Sequence, residues 1–86
     1  MGQMTMYTTS WCGFCRRLKS QLDREGIGYE EIDIERTAGA ADIVMQVNGG
    51  DRTVPTVVYP DGSAATNPGF AEVKAALAKA EAASGA

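Results

Sequence analysis

The two cysteines of this chain, Cys12 and Cys15, lie three positions apart in the stretch SWCGFC, which spans residues 10–15. The chain has no other cysteine and no histidine, whereas a structural zinc site usually takes about four such ligands. A disulfide that closes so short a loop removes little entropy from the unfolded chain. The spacing therefore favours a redox-active pair over metal ligands or a purely structural disulfide.

The residues around the pair predict a strand, a helix and a second strand. Residues 4–9 include β-branched and aromatic side chains and are followed by Ser10, which is typical of a strand. An apolar stripe at helical spacing follows, and it predicts an amphipathic helix from Gly13 to a left-handed cap at Gly26. Residues 29–34 alternate between apolar and acidic side chains, as expected of an edge strand with one covered face. The stripe of the helix consists of Cys15, Leu18 and Leu22.

A short helix is predicted in the middle of the chain, over residues 40–48. Thr37 is a candidate for its cap, and Ile43 and Val47 are expected to form its buried stripe. The glycine pair at 49–50 is expected to end this helix.

A hairpin and a final helix are predicted from the rest of the chain. Residues 56–59 and 64–66 form two short strands around a Pro-Asp-Gly turn at 60–62. Asn67 is expected to cap the last helix, with Pro68 at its first position. The inner face of this helix is expected to carry Phe70, Val73 and Leu77.

These elements predict an α/β fold in the order β-α-β-α-β-β-α. The expected architecture is thioredoxin-like, with a four-stranded mixed sheet flanked by three helices, because a Cys-x-x-Cys pair opening the helix of a βαβ unit is typical of that fold. We expect one domain over residues 1–86, with 83–86 as a frayed tail.

The predicted position of the pair assigns a role to each cysteine. Cys12 is expected at the helix N-cap, where unpaired backbone N–H groups and the helix dipole favour a thiolate. Arg16 and Arg17 add positive charge nearby, so we expect a lowered pKa for the Cys12 thiol. Cys15 falls on the apolar stripe and should be more buried. Cys12 is therefore the expected nucleophile, and Cys15 the resolving cysteine.

The residues between and before the cysteines are candidates for the substrate site. Gly13 leaves room for a partner sulfur, while Trp11 and Phe14 are expected to form an apolar rim. A simpler interpretation is that both aromatic side chains only lie on the surface, and for Trp11 the two interpretations are evenly balanced. Arg16 and Arg17 are more simply interpreted as a solvated helix face.

A second candidate segment is RTVPT, which spans residues 52–56. A proline just before a strand cannot donate to the sheet, and a cis Val54–Pro55 bond would leave backbone groups free to pair with an extended thiol peptide. Taken alone, the segment favours a trans proline that begins the strand. Together with the cysteine pair, it favours the cis form.

Charge and hydropathy argue against two classes of partner, nucleic acids and membranes. The net charge of −3 argues against nucleic acid binding, and the chain has no apolar run of membrane-spanning length. No export signal is visible at the N-terminus. We expect a cytoplasmic monomer that binds neither nucleic acid nor a membrane.

Three stretches together resemble the glutaredoxin family, within the thioredoxin superfamily: TTSWCGFC, GGDRTVPTVVY and TNPGF. The resemblance extends from Met4 to about Ala80. It implies a cis Pro55 facing Cys12, with the Val54 backbone binding the thiol. Thr66 and Asn67 are expected to line the same thiol site.

The chain departs from the glutathione-using members of that family at two places. Those members usually carry a lysine three residues before the first cysteine, where this chain has Thr9. They usually open the last helix with Gly-Gly-x-x-Asp, which holds the charged γ-glutamyl group, whereas residues 65–69 here read ATNPG. The overall pattern most resembles the mycoredoxins, actinobacterial members that use mycothiol. Mycothiol is an acetylated cysteine on a neutral pseudo-disaccharide.

The resemblance implies reduction of mixed disulfides between protein cysteines and mycothiol. Cys12 would attack the mycothiol sulfur and release the protein thiol, and a second mycothiol would then release mycothiol disulfide. An NADPH-dependent disulfide reductase would recycle that product, so no tightly bound cofactor or metal is expected. Expected clients are mycothiolated proteins such as peroxidases, and arsenic–mycothiol adducts are a further candidate substrate.

Two alternatives remain open at this stage. One is a dithiol redoxin that thioredoxin reductase reduces directly and that serves ribonucleotide reductase. The other is an iron–sulfur cluster carrier, because CGFC differs by one residue from the CGFS motif of cluster-binding glutaredoxins. A cluster would need thiolates from several molecules.

Overall fold

A four-stranded mixed sheet with the strand order β2-β1-β3-β4 forms the centre of the protein. The computed structural model describes residues 3–84. Its elements are β1 (Met4–Thr8), α1 (Gly13–Arg24), β2 (Tyr29–Asp33), α2 (Ala40–Val47), β3 (Thr56–Val58), β4 (Ala64–Thr66) and α3 (Phe70–Ser84). The predicted fold class and element order are confirmed. Of the predicted frayed tail, residues 83 and 84 end α3, and residues 85 and 86 lie outside the described part.

The pairing of the strands follows from the connections between them. β1 pairs in parallel with β2, with Met4 opposite Tyr29, because α1 crosses over between them. β3 runs antiparallel to β1, with Val57 opposite Met6, and β4 returns antiparallel to β3 through the hairpin. β2 lies at one edge of the sheet, as its alternating sequence predicts.

Alternation along the strands divides the core into two clusters, one on each face of the sheet. The larger cluster joins Met4 and Met6 of β1 to α1 and α3, through buried residues such as Leu22 and Val73. The smaller cluster joins Tyr7 and Ile34 to α2. The α1 and α3 helices therefore cover one face, and α2 covers the other. Within residues 3–84, no helix is long and apolar enough to span a bilayer.

The buried side of α2 differs from the prediction. Ile43 and Val47 are 42% and 36% exposed, whereas Ala40 and Val44 are 3% and 0% exposed. Both pairs have helical spacing, so periodicity alone cannot choose between them. The contacts of α2 with the smaller cluster select the Ala40 and Val44 side.

The predicted caps of α2 and α3 are also wrong. Gly39, with φ 81°, precedes α2 without a side-chain cap, and Thr37 contributes only its backbone carbonyl, which accepts from the Ala40 N–H at 3.2 Å. Asn67 has φ 48° and donates its N–H to the Pro55 carbonyl at 2.7 Å, so it stands outside α3. The Gly69 carbonyl accepts the first bond of α3. On the inner face of α3, Val73 is buried, and Phe70 and Leu77 pack against the larger cluster as predicted.

Both ends of α1 agree with the prediction. At its C-terminus, Gly26 has φ 69° and donates to the Asp23 carbonyl, while Ile27 donates to the Leu22 carbonyl. These two bonds are the Schellman arrangement that a left-handed glycine permits. The helix therefore begins at the cysteine pair and ends at a glycine.

Polar contacts tie α1 and β1 to the edge strand β2. Lys19 Nζ lies 2.7 Å from Glu31 Oε2, and the Thr8 hydroxyl donates to the same oxygen at 2.9 Å. The hydrogen bond from Lys19, opposed in part by burial and assisted by the bond from Thr8, lowers the pKa of Glu31. These contacts join α1 and the end of β1 to the same carboxylate of β2.

Candidate active site

The two cysteines are joined by a disulfide at the N-terminus of α1, with their Cα atoms 5.2 Å apart. Cys12 is the N-cap, with φ −82° and ψ 109°, and its Sγ accepts a hydrogen bond from the Cys15 N–H at 3.0 Å. The predicted N-cap position is confirmed. A backbone N–H pointing at this sulfur favours a thiolate once the disulfide is reduced.

The two sulfurs differ in their surroundings in the predicted direction. Cys15 is 0% exposed and lies on the buried side of α1, whereas Cys12 is 5% exposed at the start of the helix. Nothing among the described residues lies within 4 Å of a Cβ placed on Gly13, so the space beside the pair is open. A partner sulfur can therefore reach the Cys12 side more easily than the Cys15 side.

A second segment, the loop of residues 53–55, faces the first sulfur. The Val54 carbonyl oxygen lies 3.7 Å from Cys12 Sγ, and the Val54–Pro55 peptide bond is cis, as predicted. Within residues 3–84, the Val54 N–H makes no backbone hydrogen bond. An unpaired N–H beside a reactive sulfur can receive the backbone of an extended thiol ligand. That binding role of Val54 and Pro55 stays a prediction.

Two exposed aromatic side chains, each next to a cysteine in the sequence, line two separate grooves. Trp11 and Phe14 are 67% and 66% exposed. The first groove, of about 650 Å³, is lined by Thr9, Trp11 and Arg52 with residues 34–39, 41 and 42, and is called the Trp11 groove below. The second, of about 230 Å³, is lined by Phe14, Arg17, Leu18, Gln21 and residues 67–70, and is called the Phe14 groove below.

The Trp11 groove has a balanced set of charges. Glu35, Arg36, Asp42 and Arg52 all line it, so two acidic residues face two basic ones. Thr9 lines the same groove, and its buried hydroxyl has no hydrogen-bond partner among residues 3–84. Thr9 stands where glutathione-using relatives are expected to carry a lysine, so that cation is replaced here by a neutral group.

The Phe14 groove contains polar groups but no acidic side chain among its described lining residues. Arg17, Gln21 and Asn67 supply hydrogen-bonding groups, and Phe14 and Phe70 supply apolar surface. This groove lies at the start of α3, where the expected clamp for a charged γ-glutamyl group would stand.

The structure separates two residues that the sequence places together. Asn67 lines the Phe14 groove, as expected of a thiol-binding residue. The Thr66 hydroxyl instead donates to Asn48 Oδ1 at the end of α2, and Thr66 does not line either described groove. The predicted role of Thr66 in thiol binding is untested, but its hydroxyl already has an internal partner.

One residue near the site was missed in the sequence. Asn48 donates to the Thr53 carbonyl and to Thr56 Oγ1, on either side of Val54 and Pro55. In the sequence it marks only the end of a helix before two glycines. A polar side chain at that position could signal a tie to the next loop, but the partner of such a tie depends on the tertiary fold.

Comparisons with known proteins agree with this geometry. The sequence profile of the Glutaredoxin family matches residues 4–63. The chain is 58% identical over 76 residues to a glutaredoxin-like protein of Mycobacterium tuberculosis, a match covering 88% of this chain and 90% of the relative. It is 48% identical over 82 residues to mycoredoxin 1 of Corynebacterium glutamicum, covering 95% and 98%.

A solved structure shows the same fold. The crystal structure of the glutaredoxin from Archaeoglobus fulgidus matches with a TM-score of 0.71 and 29% identity, covering 87% of this chain and 85% of that one. The family match covers most of the chain. The structure shows the same order of elements as predicted, with the cysteine pair at the start of α1 and the cis proline opposite it. This chain belongs to the glutaredoxin family, and it is a thiol oxidoreductase with a redox-active Cys-x-x-Cys pair.

Proposed function

We propose that this protein reduces mixed disulfides between protein cysteines and mycothiol, with mycothiol as the electron donor. The observation that carries the proposal is the Phe14 groove, whose described lining has no carboxylate to pair with the ammonium group of glutathione. The identity of nearly half the residues with mycoredoxin 1 supports the same donor.

The two grooves together suit a neutral, hydroxylated thiol better than a charged tripeptide. Arg17, Gln21 and Asn67 can exchange hydrogen bonds with sugar hydroxyls in the Phe14 groove. Thr9 stands in place of the lysine expected in glutathione-using members, and the Trp11 groove is lined by two acidic and two basic residues. The ammonium group of glutathione, brought into the Phe14 groove, would lose hydration without gaining an ion pair with a carboxylate of the described lining, which weakens binding of glutathione.

In the first step, the Cys12 thiolate attacks the mycothiol sulfur of the mixed disulfide. The bond between the protein sulfur and the mycothiol sulfur breaks, and a new disulfide forms between Cys12 and mycothiol. The client leaves as a thiolate, which takes a proton from solvent. Cys12 Sγ is suited to this attack because the Cys15 N–H points at it from 3.0 Å.

In the second step, the thiolate of a second mycothiol attacks the mycothiol sulfur bound to Cys12. Mycothiol disulfide leaves and the Cys12 thiolate is restored, so one free mycothiol is oxidised for each client thiol that is released. An NADPH-dependent disulfide reductase then recycles the mycothiol disulfide. The Cys15 thiolate can instead attack Cys12 Sγ, which breaks the Cys12–mycothiol bond, releases mycothiol and forms the internal disulfide, but the two-step cycle requires only Cys12.

The test of donor choice is turnover of one labelled mycothiolated peptide with mycothiol, and then glutathione, as the only reductant. Each thiol is coupled to its own reductase and NADPH. Because a lost charged hydrogen bond costs about 1.5–3 kcal/mol, mycothiol is expected to support at least roughly tenfold higher kcat/KM. Equal turnover with the two thiols would overturn the mycothiol assignment and leave a general glutaredoxin.

A gain-of-function variant sharpens this test. Gly69→Asp places a carboxylate at the start of α3, and a Cβ at Gly69 meets nothing among the described residues within 4 Å. The variant is expected to raise turnover with glutathione, while the neutral, equally sized Gly69→Asn serves as the matched control. If Gly69→Asp turns over no faster with glutathione than Gly69→Asn does, the lack of a carboxylate at the start of α3 is not the cause of the donor choice.

Two further experiments test the two alternatives. Reduction of the oxidised protein by thioredoxin reductase and NADPH without mycothiol would favour a directly reduced dithiol redoxin. A visible absorption spectrum after anaerobic purification would favour an iron–sulfur carrier. Under the proposed function, both experiments are expected to be negative.

A further inference from the structure

Asn48 lies at the junction between α2 and the loop that faces Cys12. It is the C-cap of α2, and its backbone N–H donates to the Val44 carbonyl at 3.0 Å. Gly49 and Gly50 follow with φ values of 68° and 113°, which turn the chain sharply away from the helix. The side chain of Asn48 therefore stays beside the loop while the backbone makes its turn.

The amide of Asn48 is bonded on both sides. Its Nδ2 donates to the Thr53 carbonyl at 3.3 Å and to Thr56 Oγ1 at 3.0 Å. The Thr56 hydroxyl donates to the same Thr53 carbonyl at 2.8 Å, and Oδ1 of Asn48 accepts from the Thr66 hydroxyl. Because a carbonyl oxygen can only accept, the nitrogen of the amide must face Thr53.

These bonds determine the direction of the next N–H group. The Thr53 carbonyl and the Val54 N–H belong to one planar trans peptide, in which the two groups point in opposite directions. Holding the Thr53 carbonyl toward Asn48 and Thr56 therefore turns the Val54 N–H away from them. The Val54 carbonyl lies 3.7 Å from Cys12 Sγ, so this N–H belongs to the residue that faces the nucleophile.

We propose that Asn48 is a positioning residue, which holds the Thr53 carbonyl together with the Thr56 hydroxyl that it also bonds, and so aims the Val54 N–H at a bound thiol. Asn48 does not touch the substrate in this scheme and acts only through the peptide between residues 53 and 54. The inference rests on the proposed function in one respect, that a thiol ligand is the partner of the Val54 N–H. It does not depend on which thiol that ligand is.

The kinetic test uses Asn48→Ala and Asn48→Asp. The first variant removes the whole amide, and the second keeps the acceptor for Thr66 but removes both donors. Each is expected to raise KM for the mixed-disulfide peptide roughly tenfold with kcat little changed, as for the loss of one oriented hydrogen bond. Leu22→Ala, a destabilising change in the core at the far end of α1, is the control and is expected to leave KM unchanged.

A direct structural readout accompanies the kinetics. Residual dipolar couplings of the ligand-free protein report the orientation of the Val54 N–H, which is expected to change in both Asn48 variants and not in Leu22→Ala. An unchanged coupling, an unchanged KM, or an equal rise of KM in Leu22→Ala would each overturn the proposal. If Asn48→Ala does not fold, the Asn48→Asp variant decides, because it keeps the size of the side chain.

The design also separates this inference from the mycothiol assignment. All variants are assayed with a mycothiolated and with a glutathionylated peptide. Similar turnover of both by the unmodified protein would overturn the mycothiol preference, while the ratio between Asn48 variants and unmodified protein would still test the role of Asn48.

Discussion

The two segments that meet at Cys12 Sγ are held in place in different ways. At the start of α1, the sulfur is bonded by the N–H of Cys15, only three residues away. The loop on the other side is held by two residues outside it, with Asn48 bonding Thr53 and the Asn67 N–H bonding the Pro55 carbonyl at 2.7 Å. The environment of the nucleophile is therefore local in sequence, whereas the surface that faces it is assembled from distant parts.

The largest expected effect tests whether the chemistry belongs to the α1 segment. In Cys12→Ser, the hydroxyl is not ionised near neutral pH and cannot form a disulfide, so turnover of the mixed disulfide is expected to fall to background. The matched variant Cys15→Ser is expected to keep turnover, because the two-step cycle uses one cysteine. Loss of all activity in Cys15→Ser would show that both cysteines are required and would break this assignment.

A stability measurement sharpens the comparison by testing what holds α1. Leu22 is 0% exposed, so Leu22→Ala is expected to lower the free energy of unfolding by about 2–5 kcal/mol. The measurement is a urea titration followed by circular dichroism. Ile43→Ala, on the exposed side of α2, is expected to change that free energy by less than about 0.5 kcal/mol. If Ile43→Ala lowers the free energy of unfolding as much as Leu22→Ala does, Ile43 must be buried, which would contradict the assignment of Ala40 and Val44 as the buried side of α2.

A titration of the reduced protein tests the local electrostatics directly. The Cys15 N–H and the N-terminal end of α1 favour the thiolate, so the pKa of Cys12 is expected below the ordinary value of about 8.5. Ultraviolet absorbance of the thiolate measures it, and Cys12→Ser identifies which step belongs to this sulfur. A midpoint at or above the ordinary value would show that the groups close to Cys12 in the sequence do not stabilise its thiolate.

The smallest expected effect concerns the tie between α1 and the edge strand. The pKa of Glu31 is lowered mainly by its bond from Lys19, so its contribution to stability is present above pH about 4.5 and is lost as pH falls through the lowered value. Because both side chains are partly exposed, Glu31→Gln is expected to cost at most about 1 kcal/mol at neutral pH and nothing in strong acid. Urea midpoints at the two pH values measure this difference.

The neighbouring Glu30→Gln is the control for that experiment. Glu30 is exposed on the same strand, so its change is expected to have little effect at either pH. A loss in Glu31→Gln that persists in strong acid would show that packing, rather than charge, stabilises this contact.

The predictions that are confirmed depend on interactions between residues close in the sequence, whereas those that are wrong depend on interactions between residues far apart. The N-cap at Cys12 and the glycine that ends α1 follow from bonds between residues three to five apart, and both are confirmed. Asn67 also has the composition of a cap, but a long-range bond to Pro55 draws its N–H away from that role. A local preference of about 1 kcal/mol gives way to such a contact.

The face of α2 and the role of Asn48 could not be read from the pattern. Two apolar pairs on α2 have the same spacing, and only contact with Tyr7 and Ile34 distinguishes Ala40 and Val44 from the exposed pair. Asn48 has no local signature beyond a helix end, because its partners come later in the chain and meet it only when β3 and β4 form.

The sequence by itself determined the order of elements, the covered face of the edge strand and the place of the reactive pair at a helix start. Each of these depends on the period of side chains or on bonds within one turn, which operate before the chain is folded. The tertiary structure alone decided which side of α2 is buried, how the loop before Pro55 is held and where the two grooves lie. Those features depend on contacts between elements far apart in the chain, whose geometry exists only after the sheet has assembled.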